Sequence, residues 1–174
     1  MAFGTGHHGT TLGCLRMIAR LAEEGQIARV ADIGCGTAVL AMAAARIWPD
    51  AHVIASDIDP VAVEVALSNL KANDLSHIAC LEAGGFDHPD LASRAPYDLI
   101  IANILKGPLI ALAPDIAAAS APGAKVILSG ILTTQADETA EVFFQNGFSL
   151  VAQEEIVDWS TLLLAKSGLE NDAR

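Results

Sequence analysis

The feature that most constrains the fold is a short glycine loop, Asp32-Ile33-Gly34-Cys35-Gly36-Thr37. The β-branched run over residues 29–33 predicts a strand that leads into this loop. The Ala-rich residues 39–48, followed by Pro49, predict a helix that leaves it. The two glycines let the backbone turn sharply and approach a ligand closely. A strand, a glycine turn and a helix in this order begin a βα unit and place the chain in the α/β class.

The same alternation continues along the chain. Strands are predicted over residues 52–56, 78–82, 97–102 and 125–129, with a turn at Pro122-Gly123, and helices over residues 60–73, 105–119 and 134–145. Residues 148–157 and 159–165 predict a closing hairpin. Repeated βαβ units produce a mostly parallel sheet with helices on both faces. We therefore predict a Rossmann-like, doubly wound, seven-stranded sheet with a C-terminal antiparallel hairpin.

Length and composition limit the class of protein further. The 174 residues suggest one domain, with an N-terminal loop and helix over 1–25, a core over 26–130 and a C-terminal helix and hairpin over 131–174. No apolar run approaches the roughly 18 residues of a membrane span. The net charge of -11 argues against direct nucleic-acid binding. Three scattered cysteines without a C-x-x-C pair favour a reduced, cytoplasmic setting, and Cys35 is interpreted as a small buried filler.

Asp32 and Val39 distinguish this loop from a dinucleotide-binding loop. The dinucleotide motif has a third glycine where this chain has Val39, and a carboxylate directly before the loop would repel a pyrophosphate. The Asp32 carboxylate instead suits the cationic amino end of a methionine moiety, directly or through water. Asp32, Gly34 and Gly36 are therefore predicted cofactor-binding residues, and the alternative is a tight turn without a ligand.

Asp57 follows the second predicted strand, where its carboxylate can accept hydrogen bonds from both ribose hydroxyls of a nucleoside. The same arrangement occurs in NAD enzymes, so Asp57 does not choose between cofactors. Asp59, directly before Pro60, is predicted to be the N-cap of the next helix and not a ligand contact. Residues 83–87, after the third strand, form either a wall for an adenine ring or an ordinary loop.

Asn103 follows the fourth predicted strand. Its side-chain carbonyl can accept a hydrogen bond from a substrate amine and aim the nitrogen lone pair at a methyl group. The competing interpretation is a cap for the next helix. Ile104 and Leu105 follow where amide-methylating enzymes carry N-P-P-[FYW], which disfavours that class.

The N-terminal run Ala2-Phe3-Gly4-Thr5-Gly6-His7-His8-Gly9-Thr10-Thr11 contains too many glycines for a regular element. It is predicted to be a flexible loop that closes over the cofactor, with Thr10 or Thr11 capping the following helix. Either histidine can act as a general base. No third ligand lies at a suitable spacing, so no metal site is predicted.

Together these motifs resemble the ribosomal large-subunit protein eleven methyltransferase family. The N-terminal run is similar to the family's A-F-G-T-G-x-H-x-T-T signature. Residues 32–37, 57–60, 102–105 and 128–132 also agree with the family in order and spacing. The resemblance covers almost the whole chain. The glycine loop alone is shared by many methyltransferases, whereas the N-terminal run combined with Ala-Asn-Ile-Leu is much more specific.

The resemblance implies a class I methyltransferase that uses S-adenosyl-L-methionine to methylate amino groups of a ribosomal large-subunit protein, on lysine side chains and the N-terminal amine. The family's cofactor contacts match Thr11, Gly34, Asp57 and Asn103 here. We expect Asn103 to orient the amine while Phe3 and residues 4–9 close the site, without a dedicated base. The alternatives are a methyltransferase for another protein or a small molecule, and a non-catalytic nucleotide-binding module.

The chain departs from the family pattern in two respects. Ala38 stands where the family usually has a further loop glycine. Its methyl group is expected to weaken cofactor binding, by narrowing the cleft or by shifting the start of the helix. Full-length members also carry an N-terminal domain that recognises the ribosomal protein, and we expect this domain to be absent from the chain.

Overall fold

The computed structural model describes residues 8–168 of the chain, and of His8 only its backbone. The strands are β1 (Arg29–Ile33), β2 (His52–Asp57), β3 (Ala79–Glu82), β4 (Tyr97–Asn103), β5 (Ser120–Leu132), β6 (Phe148–Ile156) and β7 (Trp159–Lys166). The helices are α1 (His8–Ala22), α2 (Val39–Ile47), α3 (Pro60–Ala72), α4 (Pro89–Arg94), α5 (Lys106–Ala111), α6 (Ala113–Ala119) and α7 (Ala136–Phe144), with a 3-10 turn, Thr133–Gln135, before α7.

The strands form one sheet in the order β3-β2-β1-β4-β5-β7-β6. The pairs among β1 to β5 are parallel, whereas β7 runs antiparallel to both β5 and β6. The predicted doubly wound sheet with a closing hairpin is therefore confirmed. Within residues 8–168, no helix combines the length and the apolar character needed to cross a bilayer.

Side chains alternate between the two faces of the sheet, and each face is covered by its own helices. One face carries Val30 and Ile101, which belong to the core beneath α1, α2 and α3. The other carries Ala31 and Ile100, which belong to the core beneath α4, α5, α6 and α7. This alternation decides which strand residues face α1 and α2 at the carboxyl end of the sheet.

After α1, three elements differ from the sequence prediction by more than a residue or two at their ends. The helix predicted over residues 105–119 is split into α5 and α6, because Pro114 in the first turn of α6 has no N–H to continue the earlier helix. β5 begins at Ser120 and runs through the predicted turn at Pro122-Gly123, with an irregular register against β4. The short α4 was not predicted, although Pro89 at its start is a typical first-turn residue.

The predicted N-terminal loop is wrong from His8 onward. α1 begins at His8, so Gly9, Thr10 and Thr11 lie inside its first turns and neither threonine is its N-cap. Phe3 and the rest of residues 1–7 lie outside the described residues, and the role expected for Phe3 stays a prediction.

Candidate functional site

Four buried polar side chains form a row across neighbouring strands near the carboxyl end of the sheet. This polar row consists of Asp32 on β1, Asn103 on β4, Ser129 on β5 and Thr161 on β7, each at most 9% exposed. Asn103 pairs with Ser129 in the register of β4 and β5. Side-chain alternation places all four on the face that α1 and α2 cover. Ligands of such sheets bind beyond the carboxyl ends of the strands, so the polar row marks the candidate site.

Asp32 is a buried carboxyl group with one free oxygen. Its Oδ2 accepts a hydrogen bond from the backbone N–H of Ala41 at 3.0 Å. Its Oδ1 has no hydrogen-bond partner among residues 8–168. The pKa of Asp32 is raised to about 7, mainly by burial; the Ala41 bond opposes this rise, and the negative charge of Asp57 contributes to it. A buried acceptor of this kind suits a cationic group, as predicted from its position before the glycine loop.

Asn103 also presents an unused acceptor. Its side-chain Oδ1 is buried and has no hydrogen-bond partner within the described part of the chain. The alternative interpretation, a cap for the next helix, is wrong, because Leu105 is the N-cap of α5 and makes no side-chain cap bond. Buried polar atoms are almost always hydrogen-bonded, so a free carbonyl here indicates an acceptor for a bound group.

Asp57 fixes the glycine loop to the end of β2. Its Oδ2 accepts from the Gly36 N–H at 2.9 Å, and its Oδ1 accepts from the Asp59 N–H at 3.0 Å. The amides of Gly34 and Cys35 both donate to the carbonyl of Ser56, at 2.8 and 2.9 Å. Asp57 is half-buried, and each oxygen retains a lone pair for a further donor.

The two loop glycines leave room that side chains would fill. Gly34 and Gly36 have φ values of 71° and 53°, in the left-handed region that favours glycine. A Cβ on Gly34 would lie 2.3 Å from the Cγ2 of Ile104, whereas a Cβ on Gly36 would meet nothing within 4 Å. Gly36 therefore borders open space beside Asp57, and a ligand could approach the loop backbone through this space.

Ala38 adopts the same left-handed conformation without being glycine. It is the N-cap of α2, with φ 68° and ψ 18°, and it is fully buried in the core under that helix. α2 begins at Val39 as predicted, so the methyl group does not shift the start of the helix. The weaker cofactor binding expected from Ala38 stays a prediction.

The loop after β3 lies beside Asp57. The Ala83 N–H donates to the Asp57 carbonyl at 3.0 Å, and a Cβ on Gly84 would be 3.6 Å from the Cδ1 of Ile58, which is 75% exposed. This placement agrees with a wall for a flat ring, and the role itself stays a prediction. Asp59 accepts from the Val61 N–H at 2.9 Å, which confirms it as the N-cap of α3.

The first turns of α1 lie over the β5 end of the polar row. The hydroxyl of Ser129 is 3.5 Å from the carbonyl oxygen of Thr10, which is fully buried. Thr11, the next residue, is partly exposed at the same end of the sheet. The structure therefore brings the segment that carries Thr11 to the strand ends that carry Asp32 and Asn103.

Cys35 and Cys80 lie next to each other in the core. Cys35 is buried, in agreement with a packing role, and its Sγ lies 4.0 Å from that of Cys80. The hydrogen bond with Cys80 and burial both raise the pKa of Cys35. Among residues 8–168, no three His, Cys, Asp or Glu side chains lie close enough together to hold a metal ion.

Sequence reasoning missed two members of the polar row and one further buried hydroxyl. Ser129 and Thr161 were assigned no role, and Ser56, whose Oγ is buried without a partner in the described residues, was passed over in favour of Asp57. The available signal was a hydroxyl residue within or beside an apolar strand run, such as Ser129 after Val126-Ile127-Leu128. That signal identifies a site only when the strand order is known.

The chain is similar along most of its length to one family of methyltransferases. The family model described as ribosomal protein L11 methyltransferase (PrmA) matches residues 1–167. The ribosomal protein L11 methyltransferase of Bradyrhizobium diazoefficiens is 46% identical over 169 residues, which are 97% of this chain and 57% of the relative. That of Chelativorans sp. is 47% identical over 165 residues, 93% of this chain and 56% of the relative. The chain thus spans about half the length of the curated relatives it matches.

Solved structures show the same likeness. The ribosomal protein L11 methylase of Lactobacillus delbrueckii subsp. bulgaricus superposes with a TM-score of 0.84 at 29% identity, covering 93% of this chain and 81% of that chain. The N-methyltransferase NodS of Bradyrhizobium japonicum has a TM-score of 0.71 at 13% identity, covering 92% of this chain and 98% of that chain. At that identity the second likeness concerns the fold alone.

Proposed function

Because the chain belongs to the ribosomal protein L11 methyltransferase family, we propose that it is an S-adenosyl-L-methionine-dependent N-methyltransferase. Its substrates are amino groups of a ribosomal large-subunit protein, on lysine side chains and the N-terminal amine. The observation that carries the proposal is a pair of buried acceptors without partners in the described residues, Asp32 Oδ1 and Asn103 Oδ1, near the carboxyl ends of neighbouring strands. Residues 1–174 act as one methyltransferase domain in the cytoplasm, without direct nucleic-acid binding.

The residues of the site fit the cofactor group by group. Asp32 faces the cationic amino end of the methionine moiety, and Asp57 accepts from the ribose hydroxyls. Gly34 and Gly36 allow the cofactor to approach the loop backbone closely. Thr11 contributes a hydroxyl from the first turns of α1. When bound, the cofactor supplies a methyl group on a sulfonium, a leaving group that is already activated.

The protein's own contribution is positioning and exclusion of water. The Asn103 side-chain carbonyl accepts a hydrogen bond from the substrate amine. This bond orients the lone pair of the amine nitrogen towards the methyl group. The attacking amine must be neutral, and with a pKa of about 10.4 only roughly one free lysine in 2,500 is neutral at pH 7. Burial of the amine beside Asn103 lowers that pKa, and the released proton leaves to water.

The test is mass spectrometry of ribosomal protein L11 after incubation with the chain and S-adenosyl-L-methionine. The chain is assayed alone and fused to the part of the Bradyrhizobium relative that it does not cover. We expect mass gains in steps of one methyl group. Asn103→Ala should slow transfer by about 100-fold, because an acceptor that aligns the nucleophile is lost, and it should also weaken cofactor binding, because Asn103 is a predicted cofactor contact as well.

The matched control is Asn73→Ala, which removes an exposed side-chain amide that donates, among the described residues, to the Asn69 carbonyl in α3. This variant should transfer methyl groups at the wild-type rate. Full transfer by Asn103→Ala would contradict the role of Asn103. Tight cofactor binding without any methylation of the protein, in either form of the chain, would contradict the substrate assignment.

A further inference from the structure

α1 approaches β7 more closely than a side chain would allow. A Cβ on Gly13 would lie 2.0 Å from the Oγ1 of Thr161 and 3.0 Å from its Cβ. Ordinary contacts between such atoms begin near 3.4 Å. Thr161 is buried in the middle of three hydrogen-bonded strands and cannot yield without disturbing the sheet. Any residue larger than glycine at position 13 would therefore push α1 away from β7.

A pair of hydroxyls occupies the surface on which α1 rests. The Oγ atoms of Ser129 and Thr161 lie 3.1 Å apart, at hydrogen-bond distance. The Ser129 hydroxyl also lies 3.5 Å from the carbonyl of Thr10 in α1 and 3.4 Å from that of Ser160 in β7. All four residues are at most 2% exposed. Because buried hydroxyls are normally paired, this cluster fixes how α1, β5 and β7 meet.

The same surface continues into the proposed active site. Ser129 pairs in register with Asn103, and both belong to the polar row. One turn of helix after Thr10, burial raises the pKa of the Cys14 thiol, the negative charge of Asp32 raises it as well, and a hydrogen bond with Ser129 lowers it. α1 thus lies along the polar row from Thr161 towards Asp32, and a shift of α1 would displace its residues relative to Asn103.

We propose that Gly13, Ser129 and Thr161 are positioning residues, which set the distance of α1 from the sheet and thereby hold Thr11 in place at the cofactor site. The inference rests on the proposed function, since it gives Thr11 a contact with S-adenosyl-L-methionine. None of the three residues touches the cofactor. Gly13 acts by its missing side chain, the Ser129 hydroxyl acts through the backbone carbonyl of Thr10, and the Thr161 hydroxyl acts through Ser129.

The experiment is calorimetric titration of S-adenosyl-L-methionine into the wild-type chain, Gly13→Ala, Thr161→Ala and the double variant. Because the loss of one hydrogen bond to a bound ligand can cost roughly tenfold in affinity, Gly13→Ala should weaken cofactor binding by about tenfold. Thr161→Ala removes the Oγ1 that the new methyl group would meet at 2.0 Å and the Cγ2 at 3.7 Å, and it leaves only the Cβ at 3.0 Å. The double variant should therefore bind more tightly than Gly13→Ala alone.

Two further variants separate positioning from general stability. Gly107→Ala makes the same substitution in α5, where a Cβ meets nothing within 4 Å, and should bind the cofactor as the wild type does. Ser129→Ala removes a hydroxyl without steric stress, so it tests the proposal even if Gly13→Ala does not fold. It should bind the cofactor several-fold more weakly, in a chain whose circular dichroism confirms that it is folded.

Wild-type affinity in both Gly13→Ala and Ser129→Ala would overturn the positioning role. A double variant no tighter than Gly13→Ala would overturn the steric route through Thr161. Absence of cofactor binding by the wild-type chain is a distinct result. It would overturn the proposed function, and the role of Thr11 with it.

Discussion

Asp32→Asn tests how strongly the buried, ionised carboxylate of the candidate site destabilises the folded chain. The buried carboxyl has one oxygen bonded to the Ala41 N–H and one without a partner in the described residues, and burial raises its pKa from 3.8 to about 7. That difference corresponds to roughly 4 kcal/mol of destabilisation once the group is ionised. The asparagine carbonyl can still accept from Ala41, so the variant removes the charge and keeps that bond.

The direction of the pH dependence follows from the pH at which the folded and the unfolded chain each lose the Asp32 proton. Below about pH 4 the carboxyl is protonated in both the folded and the unfolded chain, and it contributes nothing to the pH dependence. As the pH rises, the unfolded chain loses this proton first, and the folded chain loses it only near pH 7. The wild-type free energy of unfolding should therefore fall relative to that of Asp32→Asn between about pH 4 and pH 7, by as much as roughly 4 kcal/mol, and then level off.

The assay is urea unfolding of both proteins across this pH range, with the difference between them as the quantity of interest. Asp98→Asn is the matched control, because Asp98 also accepts from backbone amides, those of Ala28 and Arg29, at the opposite end of the sheet. The Asp98→Asn variant should therefore show the same fall in the free energy of unfolding between about pH 4 and pH 7 as the wild type. A constant difference between the wild type and Asp32→Asn at every pH would refute the reasoning.

Two smaller perturbations test packing, one beside the glycine loop and one at the opposite end of the sheet. Ala38→Gly relieves about 1–2 kcal/mol of left-handed strain, but it loses about 0.8 kcal/mol of methyl burial and about 0.4–1 kcal/mol through the more flexible unfolded chain. Urea unfolding should show a net change below about 1 kcal/mol, while cofactor affinity rises a few-fold; a large loss of affinity would contradict this. Tyr97→Phe removes the bond from the Tyr97 hydroxyl to the Leu91 carbonyl at 2.7 Å and should cost about 1–2 kcal/mol in the same assay, without a change in cofactor affinity. An unchanged stability would show that the bond is not needed.

Most of the sheet could be predicted because its strands are short apolar runs bounded by turn residues. β1 was predicted with the bounds that the structure has, and the other strands were found with small differences at their ends, β5 excepted. The errors arose where a local signal has two meanings. Gly9 and Gly13 belong to a helix, and at Gly13 glycine serves close packing against Thr161 and not a turn. Pro122-Gly123 suits a turn, but β5 passes through it with an irregular register.

The candidate site was predictable only in part. Asp57 and Asn103 each follow a predicted strand and Asp32 is the next-to-last residue of one, so the rule that ligands bind at strand ends was enough to select them. Ser129 and Thr161 come together because β7 inserts between β5 and β6, and this order cannot be read from spacing. Whether Asn103 was a cap or a free acceptor also depended on the N-cap of α5, which the structure places at Leu105.

The central claim is that the glycine loop binds S-adenosyl-L-methionine and not a dinucleotide. It is tested most directly by calorimetric titration of the wild-type chain with S-adenosyl-L-methionine and, separately, with NAD. We expect saturable binding of S-adenosyl-L-methionine, strongly weakened in Asp57→Ala, and no measurable binding of NAD. Tight binding of NAD without any binding of S-adenosyl-L-methionine would contradict the claim.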